Sequence, residues 1–143
     1  MLPDLLEQTQ NSVRLISQQL LRQKIFELVA IDEQRQSAIP KEGISYFSGD
    51  RNQVEARQEY NGYAQSLVSV LGDLSDIELI VVMALATYGD RHGSFDRNAE
   101  FAEAMEDARE FVGTSKRDHV IGNLSPKKLS EYLPAGLKRA KLD

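Results

Sequence analysis

The segment that decides the fold is Leu74–Phe95, which reads LSDIELIVVMALATYGDRHGSF. Ser75 and Glu78 are spaced as a capping box, in which each side chain accepts a hydrogen bond from the other residue's backbone amide. Beyond Glu78 the predicted helix, about 75–88, has no charged residue. We therefore expect it to be buried on nearly every side and central to the core. Gly89 is expected to end it in the left-handed conformation.

Composition limits the class of protein. The 143 residues fit one domain, and 41% hydrophobic with 27% charged residues is an ordinary globular balance. The absence of cysteine excludes disulfides, thiolate metal sites and cysteine nucleophiles. The longest apolar run, Leu79–Ala86, is far shorter than the roughly 20 residues that cross a bilayer. We therefore expect a cytoplasmic protein without membrane contact.

The N-terminal region is predicted to be one long helix. Residues 4–36 contain neither glycine nor proline and are rich in good helix formers. Apolar residues recur there mostly at three- and four-residue steps: Val13, Ile16, Leu20, Leu21, Ile25, Leu28 and Val29. Because this stripe drifts around the helix, the helix either bends or contacts more than one partner. Its extended apolar edge predicts a homodimer formed through this helix.

A linker separates this helix from the rest of the chain. Pro40 disfavours helical geometry at the residue before it, and turn residues continue to about residue 52. Three apolar side chains of the linker are expected to pack on the core: Ile44, Tyr46 and Phe47. A second helix is predicted from about 53 to 71. One face of it is expected to contain Val54, Asn61, Ala64, Val68 and Leu71, with Tyr60, Tyr63 and Leu67 beside that face.

Further helices follow the central one. The next is expected to begin near Ser94 or Asp96, either of which can cap it, and to end at Gly113. A short helix is predicted over 116–121. The last helix is expected to start at Ser125-Pro126, a cap followed by proline at the first helical position.

The predicted architecture is one all-α domain of five or six helices around the buried helix at about 75–88. Its parts are a long N-terminal helix (1–39), a linker (40–52) and a helical core (53–143). The sequence contains no internal repeat and no low-complexity tract.

Three pieces of the second half share the order and approximate spacing of a known family. They are the glycine turn Tyr88–Phe95, the segment His119–Gly122 and the segment Leu129–Leu137, which reads LSEYLPAGL. On these pieces the chain resembles a bacterial family known as domain of unknown function 3775. It departs from the family pattern in a turn, Gly89–Gly93, that is at least one residue longer, and in Pro134. The resemblance implies a compact helical domain and brings no activity, ligand or catalytic residue.

The turn after the apolar helix is the candidate binding site. Asp90, Arg91 and His92 place one acid and two potential cations beside the backbone amides of Gly93 and Ser94. Because a helix is predicted to start just after the turn, these amides are available to an anion. The hypothesis is that Arg91 and His92 bind a phosphate or carboxylate group. The alternative is a plain helix connection in which Arg91 pairs with a neighbouring acid.

The other charged groups match no catalytic or metal-binding pattern. The acids of the fourth predicted helix lack the Glu-x-x-His step of di-metal proteins and are expected to form a solvated face: Glu100, Glu103, Glu106, Asp107 and Glu110. No nucleophile elbow accompanies His119. The sequence therefore assigns no catalytic residue, no metal and no cofactor.

Charge is unevenly distributed along the chain. Residues 1–113 contain 19 acids and 10 Lys or Arg, a net of −9, whereas residues 114–143 contain 3 acids and 7 Lys or Arg, a net of +4. The basic end comprises Lys127, Lys128, Lys138, Arg139 and Lys141. Weak nucleic-acid binding is one interpretation. Pairing with the acidic body is favoured, because overall acidity opposes binding to a polyanion.

Two functions of different classes follow. The first is a non-enzymatic helical protein-interaction module with an unknown partner, self-associating as a homodimer. The second is a small-molecule or anion-binding domain, with enzymatic activity as one variant, centred on Asp90, Arg91 and His92. The turn looks open to solvent, which favours the first function. The second requires a concave pocket beside residues 89–95.

Overall fold

The computed structural model describes Gln10, Arg14 and the ranges 19–90 and 100–143. In this part of the chain there are six helices and no strand, which confirms the all-α prediction. The helices are α1 (Gln19–Ser37), α2 (Arg51–Gly72), α3 (Asp76–Gly89), α4 (Phe101–Thr114), α5 (Arg117–Leu124) and α6 (Leu129–Arg139). No described helix combines the length and the apolar character that crossing a bilayer requires.

The packing order of the helices differs from their order in the chain. α1 packs against α2 and α6, α6 packs against α3, and α3 packs against α4. α5 contacts α2 and α4. The shared core is rich in leucine and includes Leu21, Ile25, Leu28, Leu67, Leu71, Leu79, Leu85, Leu129 and Leu133. α6 is thus the helix that connects the N-terminal pair to α3 and α4.

Helix α3 begins where the sequence predicts. The Ser75 hydroxyl accepts a hydrogen bond from the Glu78 backbone amide at 3.2 Å, and the Glu78 carboxylate accepts one from the Ser75 amide at 2.9 Å. Most of the helix from Leu79 onward is buried. Ile77 is 64% exposed, so burial begins one turn into the helix.

The prediction that Gly89 ends α3 in the left-handed conformation is wrong. Gly89 is the last helical residue and has no positive φ, and Asp90 follows as an extended cap with φ −86° and ψ 100°. A β-carbon at Gly89 would overlap the Tyr132 carbonyl oxygen of α6 and would lie 2.6 Å from the Gly136 amide nitrogen. Gly89 therefore allows two helix backbones to touch.

Polar contacts from α2 hold the linker between α1 and α2. The buried Gln53 side chain accepts a hydrogen bond from the Ser45 amide at 2.8 Å. Arg57 donates to the Ser45 carbonyl at 2.6 Å and to a second linker carbonyl at 2.8 Å. The expectation that Tyr46 and Phe47 pack on the core is wrong, because they are 65% and 100% exposed.

The inward face of α2 is shifted from the predicted one and includes Leu67, which was predicted to lie beside it. It begins at Arg51, after the N-cap Asp50, and its buried residues are Gln53, Ala56, Leu67 and Leu71. Of the predicted face only Leu71 is buried, and Val68 is exposed. Because Gln53 is buried where it holds the linker, the inward face passes through residue 53 instead of residue 54.

Helix α4 begins later than predicted. Glu100 has an extended backbone, with φ −132° and ψ 149°, so the helix that starts at Phe101 does not extend back through it towards Ser94 or Asp96. Its buried residues include Phe101, Met105 and Ala108.

A buried ion pair joins α1 to the connection between α5 and α6. Asp32 and Arg35 are 0% and 1% exposed, and an Arg35 nitrogen lies 2.6 Å from the Asp32 carboxylate. Arg35 also donates to the carbonyls of Ser125 and Lys127 at 2.6 and 2.8 Å. The Asp32 carboxylate accepts hydrogen bonds from the Ser130 amide at 2.8 Å and the Ser130 hydroxyl at 2.7 Å.

This pair explains why α6 starts at Leu129 and not at Ser125-Pro126 as predicted. The carbonyls of Ser125 and Lys127 are directed to the Arg35 guanidinium, so the segment forms a turn there. A helix start signal that is local in sequence is overridden by a buried arginine about 90 residues earlier.

Candidate ligand-binding cleft

A cleft of about 460 Å³ lies between α3 and α4 and extends to the end of α5. Its volume is in the range of small-molecule sites, about 300–1,000 Å³. The described residues that line it are Met83, Thr87, Asp90, Ala104, Asp107, Ala108, Glu110, Phe111, Thr114, Asn123 and Lys127. The cleft therefore adjoins the turn that the sequence singled out.

The floor of the cleft is apolar because of regular helical spacing. Ala104, Ala108 and Phe111 recur at steps of four and three residues, so they lie on one side of α4. Met83 faces them from α3. Met83 and the two alanines are buried, whereas Phe111 is half-buried.

Charged side chains border the cleft. They are three carboxylates, Asp90, Asp107 and Glu110, and one ammonium group, Lys127. The described ion pairs lie elsewhere: Asp32–Arg35, Arg51–Glu55 and Asp76–Arg117. Within the described ranges, Asp107, Glu110 and Lys127 therefore have no ion-pair partner.

Two threonines at the cleft use their hydroxyl protons inside their own helices. Thr87 donates to the Met83 carbonyl at 2.8 Å, and Thr114 donates to the Glu110 carbonyl at 2.8 Å. Their oxygens are left as hydrogen-bond acceptors. These groups, like the carboxylates, suit a ligand that donates hydrogen bonds.

The position of Lys127 depends on the buried arginine of α1. The Lys127 carbonyl accepts a hydrogen bond from Arg35, which is almost fully buried. Lys127 itself is half-buried at the cleft. The ion pair of α1 thus fixes one charged side of a cleft formed by other helices.

Of the five residues predicted to form the binding site, Asp90 is described and lies at the cleft. Burial raises the pKa of Tyr132 on α6, and the charges of Asp90 and then Glu131 raise it further, so the field of Asp90 reaches α6. Arg91, His92, Gly93 and Ser94 lie outside the described residues, and the anion hypothesis stays a prediction.

The other sequence candidates are accounted for differently. In the described part of the chain, no group of three or more His, Cys, Asp or Glu residues could hold a metal ion. His119 is exposed, with its ring 5.9 Å from that of Phe111. Arg117 pairs with Asp76 at 2.9 Å and donates to the Gly72 carbonyl at 3.0 Å, so it fastens α5 to the connection between α2 and α3.

Arg139 of the basic C-terminal end makes contacts inside the fold. The Arg139 guanidinium lies 4.1 Å from the centre of the Tyr88 ring and donates to the Tyr88 carbonyl at 3.0 Å. Lys127 lies at the cleft. The exposed members of this group are Lys128, Lys138 and Lys141.

From the sequence alone, the three other charged residues of the cleft are not assigned to a binding site. Asp107 and Glu110 are exposed, as the solvated-face interpretation predicts, but they also border the cleft. The available signal was the pair of alanines at 104 and 108, whose small size on the inward side of an amphipathic helix favours a gap. Lys127 gave no such signal, because its position depends on Arg35.

Comparison with known proteins gives no further guide to function. No protein-family model, no curated protein and no solved structure matches this chain. The resemblance to domain of unknown function 3775 therefore stays a prediction, and function is argued from the residues themselves.

Proposed function

We propose that this protein is a non-enzymatic helical interaction module that self-associates as a homodimer through α1 and its N-terminal continuation. The supporting observation is the distribution of exposed apolar side chains. In the described part of the chain, the large ones all fall within residues 20–77: Leu20, Phe26, Ile39, Tyr46, Phe47, Val68 and Ile77. Leu20 and Phe26 of this set lie on α1, and we propose that they form part of a contiguous apolar interaction surface.

Helix α1 is apolar on more than its core-facing side. Leu21, Ile25 and Leu28 are buried, whereas Leu20 and Phe26 are 63% and 53% exposed. α2 and α6 are the helices that pack on α1. A helix with apolar residues on two sides has a surface available for a further partner.

The partner that we propose for this surface is a second copy of the chain. A stable interface buries about 1,200–2,000 Å² in total, more than Leu20 and Phe26 alone provide. The sequence before α1 contains further apolar residues, which the predicted N-terminal helix would add to this surface: Leu5, Leu6, Val13 and Ile16. Gln10 and Arg14 are helical and exposed, which supports a continuation of the helix in that direction.

Light scattering coupled to gel filtration tests this function. The wild-type protein is expected to have a mass near twice 16.1 kDa, falling on dilution as the dimer dissociates. The double variant Leu20→Ser/Phe26→Ser is expected to be a monomer of 16.1 kDa with an unchanged far-ultraviolet circular dichroism spectrum. Both side chains are exposed, so the fold does not depend on them.

Phe47→Ser is the matched control, because it removes an exposed aromatic side chain from the linker and leaves α1 intact. This variant is expected to remain dimeric. A wild-type mass of 16.1 kDa at every concentration would refute self-association. If only the Phe47→Ser variant were a monomer, the dimer contact would have to be assigned to the linker instead of α1.

A second function, small-molecule binding, is favoured by the cleft between α3 and α4. The pocket that this function requires is present beside Asp90, with an apolar floor and polar groups on its border. A set of small amines, acids and neutral compounds is tested by following the Met83 methyl resonance and the amide resonances of α4. Shifts confined to residues that line the cleft are expected, and unchanged spectra with every compound would exclude this function.

We infer a cytoplasmic location in a bacterial cell for both functions. The absence of cysteine is consistent with a reducing compartment, and the second half resembles a bacterial family. Fractionation of the native host, followed by detection with an antibody, would contradict this inference if the protein were recovered outside the cytoplasm.

A further inference from the structure

We propose that the cleft between α3 and α4 binds an organic ammonium ion that carries a short apolar chain. This proposal rests on the second function above and adds the chemical class of the ligand. It depends on three features of the cleft: the carboxylates on its border, the aromatic ring of Phe111 and the apolar floor.

The charge of the cleft favours a cation. Asp107 and Glu110 lie three residues apart on α4, and both border the opening. Because residues at this spacing are neighbours on a helix, one ammonium group can contact both carboxylates. The threonine oxygens add acceptors nearby, since their protons are donated to helix carbonyls. An ammonium group has three N–H donors for these acceptors and accepts nothing.

The wall of the cleft also suits an ammonium ion. Phe111 is half-buried and lines the cleft on the same side of α4 as Ala104 and Ala108. The face of an aromatic ring attracts a cation within about 6 Å of its centre. The same ring provides apolar surface for the first methylene groups of the ligand.

The apolar floor of the cleft accounts for the apolar chain of the ligand. Met83, Ala104 and Ala108 are buried and form a floor without charge. A ligand that ended at its ammonium group would leave this floor uncovered. Methionine adapts to ligands of different shape, so the floor fits a flexible alkyl or aryl chain.

Lys127 restricts the number of positive charges that the ligand carries. It is half-buried at the cleft and has no ion-pair partner in the described residues. A second ammonium group on the ligand would meet its charge. The proposal is therefore for a monoamine, and removal of the lysine charge should strengthen binding.

Titration calorimetry with three probes of equal chain length tests the proposal: hexylamine, hexanol and hexanoate. Hexylamine is expected to bind about tenfold more tightly than hexanoate, and added salt should weaken it. Asp107→Asn and Glu110→Gln are each expected to weaken hexylamine about three- to fivefold and to leave hexanol unchanged. Lys127→Met is expected to strengthen the binding of hexylamine.

Glu106→Gln is the matched control. Glu106 is exposed on the same helix and does not line the cleft, so this variant changes the net charge equally and should bind hexylamine as the wild type does. Equal weakening of hexylamine binding by Asp107→Asn, Glu110→Gln and Glu106→Gln would show nonspecific attraction of the amine to the acidic protein and would overturn the proposal. Hexanol binding as tightly as hexylamine would overturn the ligand class and leave the second function standing. If no probe binds, both the proposed ligand class and the second function are refuted.

Discussion

Gly89 of α3 and Gly136 of α6 lie in backbone contact, and neither position has room for a β-carbon. A β-carbon at Gly89 would lie 2.6 Å from the Gly136 amide nitrogen, and one at Gly136 would lie 2.8 Å from the Leu85 carbonyl carbon. The two glycines let α6 approach α3, and α6 also packs on α1. The packing of α6 between α1 and α3 therefore depends on this backbone contact.

Gly136→Ala is expected to destabilise the protein by up to about 2 kcal/mol. The added methyl group would overlap the Leu85 backbone, and overpacking of this kind typically costs about 1–3 kcal/mol, from which the roughly 1 kcal/mol that alanine gains in a helix is subtracted. The free energy of unfolding is measured by urea denaturation followed by circular dichroism.

Gly62→Ala is the control for this crossing. Gly62 lies inside α2, is exposed, and has no atom within 4 Å of a β-carbon built there. This variant should stabilise the protein by about 1 kcal/mol, because only helix propensity changes. Equal effects at positions 62 and 136 would contradict the contact between α3 and α6.

The start and the burial of α3 could be predicted because the signals that determine them are local. The capping box requires only residues three apart, and the absence of charge beyond Glu78 predicts burial whatever the neighbouring helices are. The role of Gly89 could not be predicted, since it depends on α6, which lies more than forty residues later. A glycine at a helix end reads as a stop signal until its neighbour in space is known.

Buried polar residues account for much of what the sequence did not predict. Asp32 and Arg35 look like ordinary exposed positions of a polar helix, and Gln53 resembles any residue at a helix start. All three are buried, and their partners lie in other segments. They determine where α6 begins, how the linker is held and, through Lys127, part of the candidate cleft. Periodicity of apolar residues carries no information about such contacts.

Arg35→Met is expected to destabilise the protein by about 3–5 kcal/mol. It would leave the fully buried Asp32 carboxylate without its charge partner, and the carbonyls of Ser125 and Lys127 without a donor. Arg51→Ala is the comparison, because it breaks a pair whose side chains are 90% and 57% exposed. Exposed pairs of this spacing contribute less than about 0.5 kcal/mol. Similar losses of unfolding free energy for both variants would refute the structural role of Arg35.

The stability of the protein is expected to fall in acid partly because of Asp32. Burial alone would raise the pKa of this carboxyl, but hydrogen bonds from Ser130 and Gln36 and the charge of Arg35 outweigh burial, so the pKa lies below its ordinary value. The unfolded chain therefore binds a proton more readily than the folded protein. The stabilisation is present above the unfolded pKa, near 4, and is lost as the pH falls through the folded pKa.

Asp32→Asn tests this pH dependence. The difference in unfolding free energy between the wild type and the variant should be largest above about pH 5 and should shrink as the pH is lowered. Asp76→Asn is the control, because Asp76 is 76% exposed in its pair with Arg117 and should show a much smaller change. A difference that is independent of pH would show that the Asp32 carboxylate is not stabilised in the folded protein.

The hydroxyl group of Tyr132 reports on the charge at the edge of the cleft. Its pKa is raised first by burial, then by the charge of Asp90 and then by that of Glu131. Asp90→Asn should therefore lower the Tyr132 pKa towards its ordinary value, and Glu131→Gln should lower it less. The titration is followed through the ring resonances of Tyr132, assigned with a Tyr132→Phe variant. Because burial remains in both variants, part of the rise should persist. A Tyr132 pKa unchanged by Asp90→Asn would mean that the negative field of Asp90 does not extend to α6.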